Sequence, residues 1–261
     1  LTGPTAVGKT SLSIALAKAV NGEIISADSM QVYRHMDIGS AKIRPEEMQG
    51  VPHHLVDCLE PDEEFNVVRF QQMAKEAMKG IYDRGRIPVL VGGTGFYIQA
   101  VTGDIDFTVH GEDTTYRQML EEKAKTEGAQ ALHEMLAAVD PASAAAIHAN
   151  NVKRVIRALE YYRQTGKPIS QHNEEQRQKE SPYNLAYFVL NDERTRLYER
   201  IDARIDQMLA EGLIDEVKTL KEMGYHKGMV SMQGLGYKEI LSYLDGTWPL
   251  EEAIYVLKRD T

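Results

Sequence analysis

Residues Gly3-Pro4-Thr5-Ala6-Val7-Gly8-Lys9-Thr10 form a complete G-x-x-x-x-G-K-[ST] phosphate loop at the head of the chain. The glycines let backbone N–H groups turn toward an anion, and a helix following the loop aims its positive N-terminus at the same point. Lys9 supplies a charge for the outer phosphate, and the Thr10 hydroxyl suits Mg²⁺. Residues 11–20 continue as a helical pattern with Leu12, Ala15, Leu16 and Ala19 on one face. Such a loop needs a buried strand before it, and only Leu1 stands there. Residues 255–261 likewise stop inside a helical pattern, so the chain reads as an interior portion of a longer protein.

The loop heads an alternation of strands and helices. Residues 23–27 read as a short strand ended by Asp28-Ser29, and 54–58 as a weaker one. Residues 66–84 carry Val67, Phe70, Met73, Ala74, Ala77 and Ile81 at helical spacing. Residues 87–91 read as a buried strand ended by Gly92-Gly93-Thr94, with a helix starting near Phe96. That order implies right-handed βαβ units and a parallel sheet. Ligands of such sheets sit beyond the carboxyl ends of the strands, where the loop, Asp28 and Thr94 all fall. Between 112 and 182 the strand signal disappears. Helical patterns follow at 115–127, 129–139 and 152–164, then a polar stretch at 171–181. Residues 185–190 read as the sheet resuming. Residues 195–212 form a long helix with Leu197, Ile201, Ile205, Met208 and Leu209 inward. The expected fold is an α/β phosphate-loop core, 1–111 and 183–261, interrupted by a mostly helical insertion, 112–182.

Composition removes several function classes. A single cysteine, Cys58, excludes internal disulfides and Cys-rich metal sites, and it reads as a small core residue. No apolar run approaches the ~18 residues of a membrane span, so a cytoplasmic protein is expected. The net charge of −9 argues against nucleic acid only on average. Residues 104–150 carry nine acids and three bases, whereas 151–204 carry eleven bases and eight acids. Local basic faces, not net charge, bind phosphates.

Among the groups able to do chemistry, Asp28 stands out. A carboxylate at a strand end beside a phosphate loop ligates Mg²⁺ or accepts a proton, although Asp-Ser also caps turns. The second acid usual in an ATPase is missing, because strand 87–91 runs into Gly-Gly-Thr. Arg200 and Arg204, four apart on a helix, suit a diphosphate if they are not paired with Glu199, Asp202 or Asp206. Lys153, Arg154 and Arg157 share a helical face opposite Val152, Val155, Ile156 and Leu159. They suit either a nucleic-acid backbone or a solvated surface. His53-His54 lacks a third ligand at metal spacing and reads as ordinary. Tyr161, Tyr162 and Trp248 read as core or rim.

Taken together, several segments resemble bacterial tRNA dimethylallyltransferases. They are Gly3 to Thr10, Ser26-Ala27-Asp28-Ser29-Met30-Gln31-Val32-Tyr33, Met36-Asp37-Ile38-Gly39-Ser40-Ala41-Lys42 and Val91-Gly92-Gly93-Thr94-Gly95-Phe96-Tyr97. Arg154 through Glu160, the helix with Arg200, Ile201, Arg204 and Met208, and Gly234-Leu235-Gly236-Tyr237-Lys238-Glu239 complete the set. The resemblance spans nearly the whole chain in order. It implies transfer of a dimethylallyl group from dimethylallyl diphosphate to N6 of the adenosine just 3′ of the anticodon, a base that must leave its stack.

On that resemblance the loop holds the isoprenoid diphosphate rather than ATP, Lys9 and Arg204 neutralise the leaving group, and Thr10 anchors Mg²⁺. Asp28 accepts the N6 proton and Thr94 touches the reacting region. Asp28, Ser29, Met30, Gln31, Thr94, Arg117, Lys153, Arg154, Val155, Ile156, Arg157, Gln233, Gly234, Leu235, Gly236, Tyr237 and Lys238 carry the contacts to the tRNA anticodon stem-loop. A monomer is expected. The family's C-terminal basic segment is not in the sequence. A small-molecule kinase, a non-catalytic RNA-binding module and an adenylate prenyltransferase are the competing readings.

Overall fold

Gly22–Ser26 (β1), buried along its whole length, is the centre of a parallel sheet in the computed structural model, which describes residues 1–107 and 114–261. Lys9–Ala19 (α1) precedes it, and His53–His54 (β2) and Ile87–Val91 (β3) flank it in the order β2-β1-β3. β1 pairs with β3 over its full length, from Gly22 opposite Ile87 to Ser26 opposite Val91. The second strand is shorter than the pattern at 54–58 implies, because Leu55 and Asp57 take positive φ (63° and 54°) and turn the chain out of the ladder. Leu1 and Thr2 lie along the other side of β3, where the Gly92 amide donates to the Leu1 carbonyl at 3.2 Å. Thr2 also exchanges hydrogen bonds with Phe188 and Leu190 at 2.9 and 2.8 Å. The expected strand at 185–190 is therefore a single bridge, with Phe188 and Val189 exposed.

Val67–Asp83 (α2) starts where the Asn66 side chain accepts from the Val68 and Arg69 amides, which satisfies two orphan donors of its first turn. It buries Phe70, Ala74, Met78 and Ile81, the three large side chains contributing about 1.5–3 kcal/mol each. Gly95–Thr102 (α3) follows β3. The inward face of α1 differs from the expected one. Ile14 and Ala17 pack with Ile24 and Val89, whereas Leu12 is 44 % exposed. Cys58, expected in the core, is exposed.

The chain divides into two compact units, Leu1–Thr102 with Asn184–Thr261, and Gly103–Tyr183. The expected boundary at 111/112 lies outside the described residues. The second unit is all helix among its described residues: Thr114–Thr126 (α4), Ala129–Val139 (α5), Pro141–Ala146 (α6), Val152–Thr165 (α7) and Ile169–Gln178 (α8). Its core is Leu120, Leu132, Leu136, Val155, Ile156, Ala158 and Leu159. The buried Asp140 carboxylate accepts from both the amide and the hydroxyl of Ser143 and of Ser170, tying α6 to α8. Burial alone would raise its pKa, but those hydrogen bonds outweigh it and hold the carboxyl below its ordinary value. α8 forms where the sequence shows only a polar stretch. It buries nothing, and side-chain pairs one turn apart, Gln171 with Glu175 and Gln178 with Glu174, support it.

The first unit closes with Arg194–Ala210 (α9), Leu213–Glu222 (α10), a 3₁₀ turn at Ser231–Gln233, Tyr237–Leu244 (α11) and Leu250–Asp260 (α12). No helix among the described residues is long and apolar enough to cross a membrane.

One buried charge anchors the start of β1. Glu23, 2 % exposed, accepts from Arg84 Nε and Nη2 at 3.0 and 2.6 Å, from Arg86 at 3.2 Å, and lies 2.7 Å from His54 Nε2. The Arg84 hydrogen bonds, against the opposing pull of burial and with help from His54, bring its pKa down from 4.5 to about 2. A depressed carboxyl pKa stabilises the fold fully above the unfolded value, and that contribution is lost as pH falls toward the folded one. Glu23→Gln should therefore cost roughly 1.5–3 kcal/mol at neutral pH. In urea unfolding, the gap from wild type should narrow as pH drops from 4.5 toward about 2. A gap of equal size at acid pH would assign the loss to packing.

Candidate active site

The phosphate loop takes the conformation that its sequence demands. Gly3, Ala6 and Gly8 have positive φ, and Gly8, left-handed at 93°, forms the N-cap of α1. No side chain caps the first amides of α1, which leaves those donors for an anion. The Lys9 ammonium folds back over the loop, donating to the Gly3 and Pro4 carbonyls at 2.9 and 2.6 Å. Thr10 is exposed at the helix start.

Asp28 stands two residues beyond the end of β1. Its Oδ1 accepts from the Met30 amide at 2.8 Å and the Gln31 amide at 3.3 Å, so one oxygen caps the turn and Oδ2 is left over. The turn is brought against β3 by a close approach that only glycine permits. A Cβ on Gly92 would lie 2.0 Å from the Ala27 carbonyl oxygen. Beyond it, the Thr94 carbonyl accepts from the Tyr97 and Ile98 amides and opens α3. Tyr97 stacks on Phe70 with centroids 4.5 Å apart, and Phe65 meets it edge-on. Burial, with the fields of Tyr33 and Asp28, pushes the Tyr97 phenol up to about 12, so it stays protonated.

Three charges meet at this strand end. Burial pushes the Lys9 ammonium below its ordinary pKa, the Asp28 carboxylate opposes that shift and Arg204 reinforces it. Arg204, reaching in from α9, is likewise lowered by burial and raised by Asp28. Two desolvated cations share one carboxylate, an arrangement that favours further negative charge. Lys9, Thr10, Ser26, Asp28, Gln31 and His53 line a cavity of about 60 Å³ here. Arg204 also borders a larger cleft of about 500 Å³, with Lys42, Arg44 and Glu211 on its walls. The expected register of Arg200 with Arg204 is corrected. Arg200 turns away to Asp192 at 3.0 Å, and Arg204 alone faces the loop.

The segment after the Asp28 turn is held by groups to which sequence reasoning gave no such role. Glu216 on α10 accepts from the amides of Asp37, Ile38 and Gly39 at 2.9, 2.7 and 3.0 Å, and from the Tyr237 hydroxyl at 2.8 Å. The Tyr237 oxygen in turn accepts from the Ser40 amide at 3.1 Å. A Cβ on Gly39 would strike the Tyr237 ring at 2.6 Å, so this loop also needs glycine. Buried Lys42 bonds Asp37, Asp57 and the Tyr33 carbonyl. The sequence signal was present in Met36 to Lys42 and Tyr237-Lys238-Glu239, but it carried no sign of which polar groups meet.

Several predicted RNA contacts change meaning here. The Tyr237 side chain is fully buried and Gly236 is closed in beside it, so neither offers a surface to RNA. Val155 and Ile156 belong to the insertion core. Arg117 gives Nε and Nη2 to the Glu160 carboxylate, each at 2.8 Å, and so is tied into its own unit. Lys153, Arg154 and Arg157 are exposed with no acidic partner among the described residues. Ser29, Met30, Gln31, Gly234 and Lys238 are partly exposed, and Leu235 and Gln233 are exposed. Gln233 donates to the Lys227 carbonyl. A Cβ on Gly234 would run into the Met30 side chain, so this loop leans on the Asp28 turn.

Fold and site together define a phosphate-loop α/β enzyme core whose strand end carries an acid between two bases. Residues 31–261 match the IPP transferase family model, and residues 1–58 match one for isopentenyl transferases. A tRNA dimethylallyltransferase of Lachnoclostridium phytofermentans is 67 % identical over all of this chain and 83 % of its own length, and one of Carboxydothermus hydrogenoformans is 52 % identical over 84 % of its length. The crystal structure of a tRNA isopentenylpyrophosphate transferase from Bacillus halodurans aligns over 99 % of this chain and 80 % of its own, at 52 % identity and a TM-score of 0.72. A eukaryotic dimethylallyltransferase solved acting on tRNA aligns over 99 % of this chain and 65 % of its own, at 31 % identity and 0.83. The chain belongs to the IPP transferase family of prenyl-transferring enzymes.

Tyr237→Phe separates a structural tyrosine from an RNA contact. The loss should be roughly 1–3 kcal/mol in urea unfolding, because Glu216 loses a donor and the Ser40 amide loses its acceptor. RNA affinity per folded molecule should not change. Weakened RNA binding at full stability would restore the contact reading.

Proposed function

We propose that the chain transfers a dimethylallyl group from dimethylallyl diphosphate to N6 of the adenosine 3′ to the anticodon of tRNA. The observation that carries this is Asp28, a carboxylate with one oxygen to spare, beside desolvated Lys9 and Arg204 at the phosphate loop. The N6 lone pair attacks C1 of the dimethylallyl group while the C1–O bond breaks, and diphosphate leaves with the bonding electrons. The N6 proton passes to Asp28 Oδ2. Lys9, Arg204 and the open amides of α1 meet the charge that builds on the leaving group, a stabilisation that desolvation strengthens. Thr10 suits Mg²⁺, since its exposed hydroxyl lies beside the phosphate position and Mg²⁺ needs few protein ligands. When bound, the ion would offset diphosphate charge. Thr94 borders the same strand end and is assigned to the reacting region.

For the tRNA we assign Ser29 to Gln31, Gln233 to Leu235 and Lys238 in the first unit, and Lys153, Arg154 and Arg157 in the second. A monomer acting in the cytoplasm completes the proposal. Family membership and the missing second acid both weigh against kinase chemistry.

Asp28→Asn keeps an oxygen for the Met30 and Gln31 amides but removes the proton acceptor. Turnover with tRNA and labelled dimethylallyl diphosphate should fall roughly 10²–10⁴-fold with stability retained. Near-wild-type turnover would make Asp28 a cap alone.

Replacing Lys153, Arg154 and Arg157 together by Ala should spare the core, since all three are exposed. RNA affinity should drop, and the slope of log affinity against log salt should become shallower by roughly 0.7–0.9 for each phosphate no longer neutralised. Diphosphate binding should be unaffected. An unchanged slope would return these bases to a solvated surface.

A further inference from the structure

The small cavity at the strand end brings residues with no part in the proposed transfer, His53 and Ser26, to the same walls as Asp28. His53 is one of its walls. Its Nδ1 lies 2.8 Å from the Val51 carbonyl oxygen, which only accepts, so Nδ1 carries the hydrogen and Nε2 is a bare acceptor. Burial also lowers the pKa of the ring, with the Val51 hydrogen bond opposing and His54 adding to the shift, which favours the neutral form. The second atom is Asp28 Oδ2, since Oδ1 is committed to the Met30 and Gln31 amides. The third is the hydroxyl of Ser26, the buried last residue of β1. None of the three has a hydrogen-bond partner among the described residues.

Two acceptors cannot satisfy one another, but a single water can join them. Such a water would donate one hydrogen to His53 Nε2 and the other to Asp28 Oδ2, and would accept from the Ser26 hydroxyl. A polar space holds a water when it offers about 10–15 Å³ and two to four partners, and this one measures about 60 Å³. Lys9, on the same wall, adds a further donor.

We propose that His53 is a positioning residue for the transfer: through one water shared with Ser26, it holds the free oxygen of Asp28 in place for the incoming amine. This rests on Asp28 being the proton acceptor. Without the bridge the carboxylate keeps its Oδ1 cap but loses the restraint on Oδ2. A misplacement of about 1 Å costs on the order of 10²-fold in rate.

The test has two arms. Nitrogen NMR of the unliganded protein reads the His53 tautomer directly, with the hydrogen on Nδ1 and a bare Nε2 as the expected result. An Nε2–H tautomer or an imidazolium at neutral pH would overturn the proposal, even if no variant folds. In the second arm, His53→Asn keeps a donor for Val51 and removes the distal acceptor, whereas His53→Gln returns an acceptor near the Nε2 position. The kcat for prenyl transfer should fall roughly 10- to 100-fold in His53→Asn with both KM values unchanged, and it should largely recover in His53→Gln. Wild-type kcat in His53→Asn, or equal loss in both variants, overturns the positioning role alone. Wild-type protein that transfers no prenyl group to tRNA overturns the functional reading and this proposal with it.

Discussion

The Glu216 carboxylate is the joint on which the site end of the first unit depends. It gathers three successive amides of the segment after the Asp28 turn, together with the phenol of Tyr237. Hydrogen bonds to a charged acceptor contribute about 1.5–3 kcal/mol each, and leaving buried donors unmade costs a comparable amount. The segment has no strand or helix of its own to absorb those amides. It therefore holds its shape only while helices far along the chain stay docked. Gln31, whose side chain donates to the Ala41 carbonyl, passes that constraint to the Asp28 turn.

The same turn is fixed from the sheet side by sterics. Gly92 lets β3 approach the Ala27 carbonyl more closely than any side chain would allow. Glu23 at the opposite end of β1 is satisfied by Arg84, Arg86 and His54. The two ends of the strand thus handle charge differently. At the far end a buried acid is paired with two arginines. At the loop end two desolvated cations have one acid between them, and that deficit of negative charge is what a diphosphate would fill.

Much of this was legible in the sequence where the signal is local. The loop, the strands at 23–27 and 87–91, the Asn66-capped helix and the insertion helices α4, α5 and α7 follow from short motifs and periodicity. What failed was non-local or masked by polarity. The turn at Leu55 and Asp57 cut β2 short through backbone conformation that no pattern encodes. α8 was missed because a helix that buries nothing has no apolar stripe. Tyr237 shared a motif with surface residues, yet its ring lies inside, since motif membership does not say which way a side chain points. His53 looked ordinary because its meaning comes from sharing a cavity with Ser26 and Asp28.

The choice the sequence posed at Asp28, cap or base, rests on a division that the carboxylate itself removes. A carboxylate has two oxygens, and a turn needs only one of them. Oδ1 accepts from the Met30 and Gln31 amides and so fixes the plane of the group. Fixing that plane is what gives Oδ2 a defined direction, which a freely rotating surface acid lacks. The cap is therefore the means by which the fold aims the base, and the two roles belong to one arrangement.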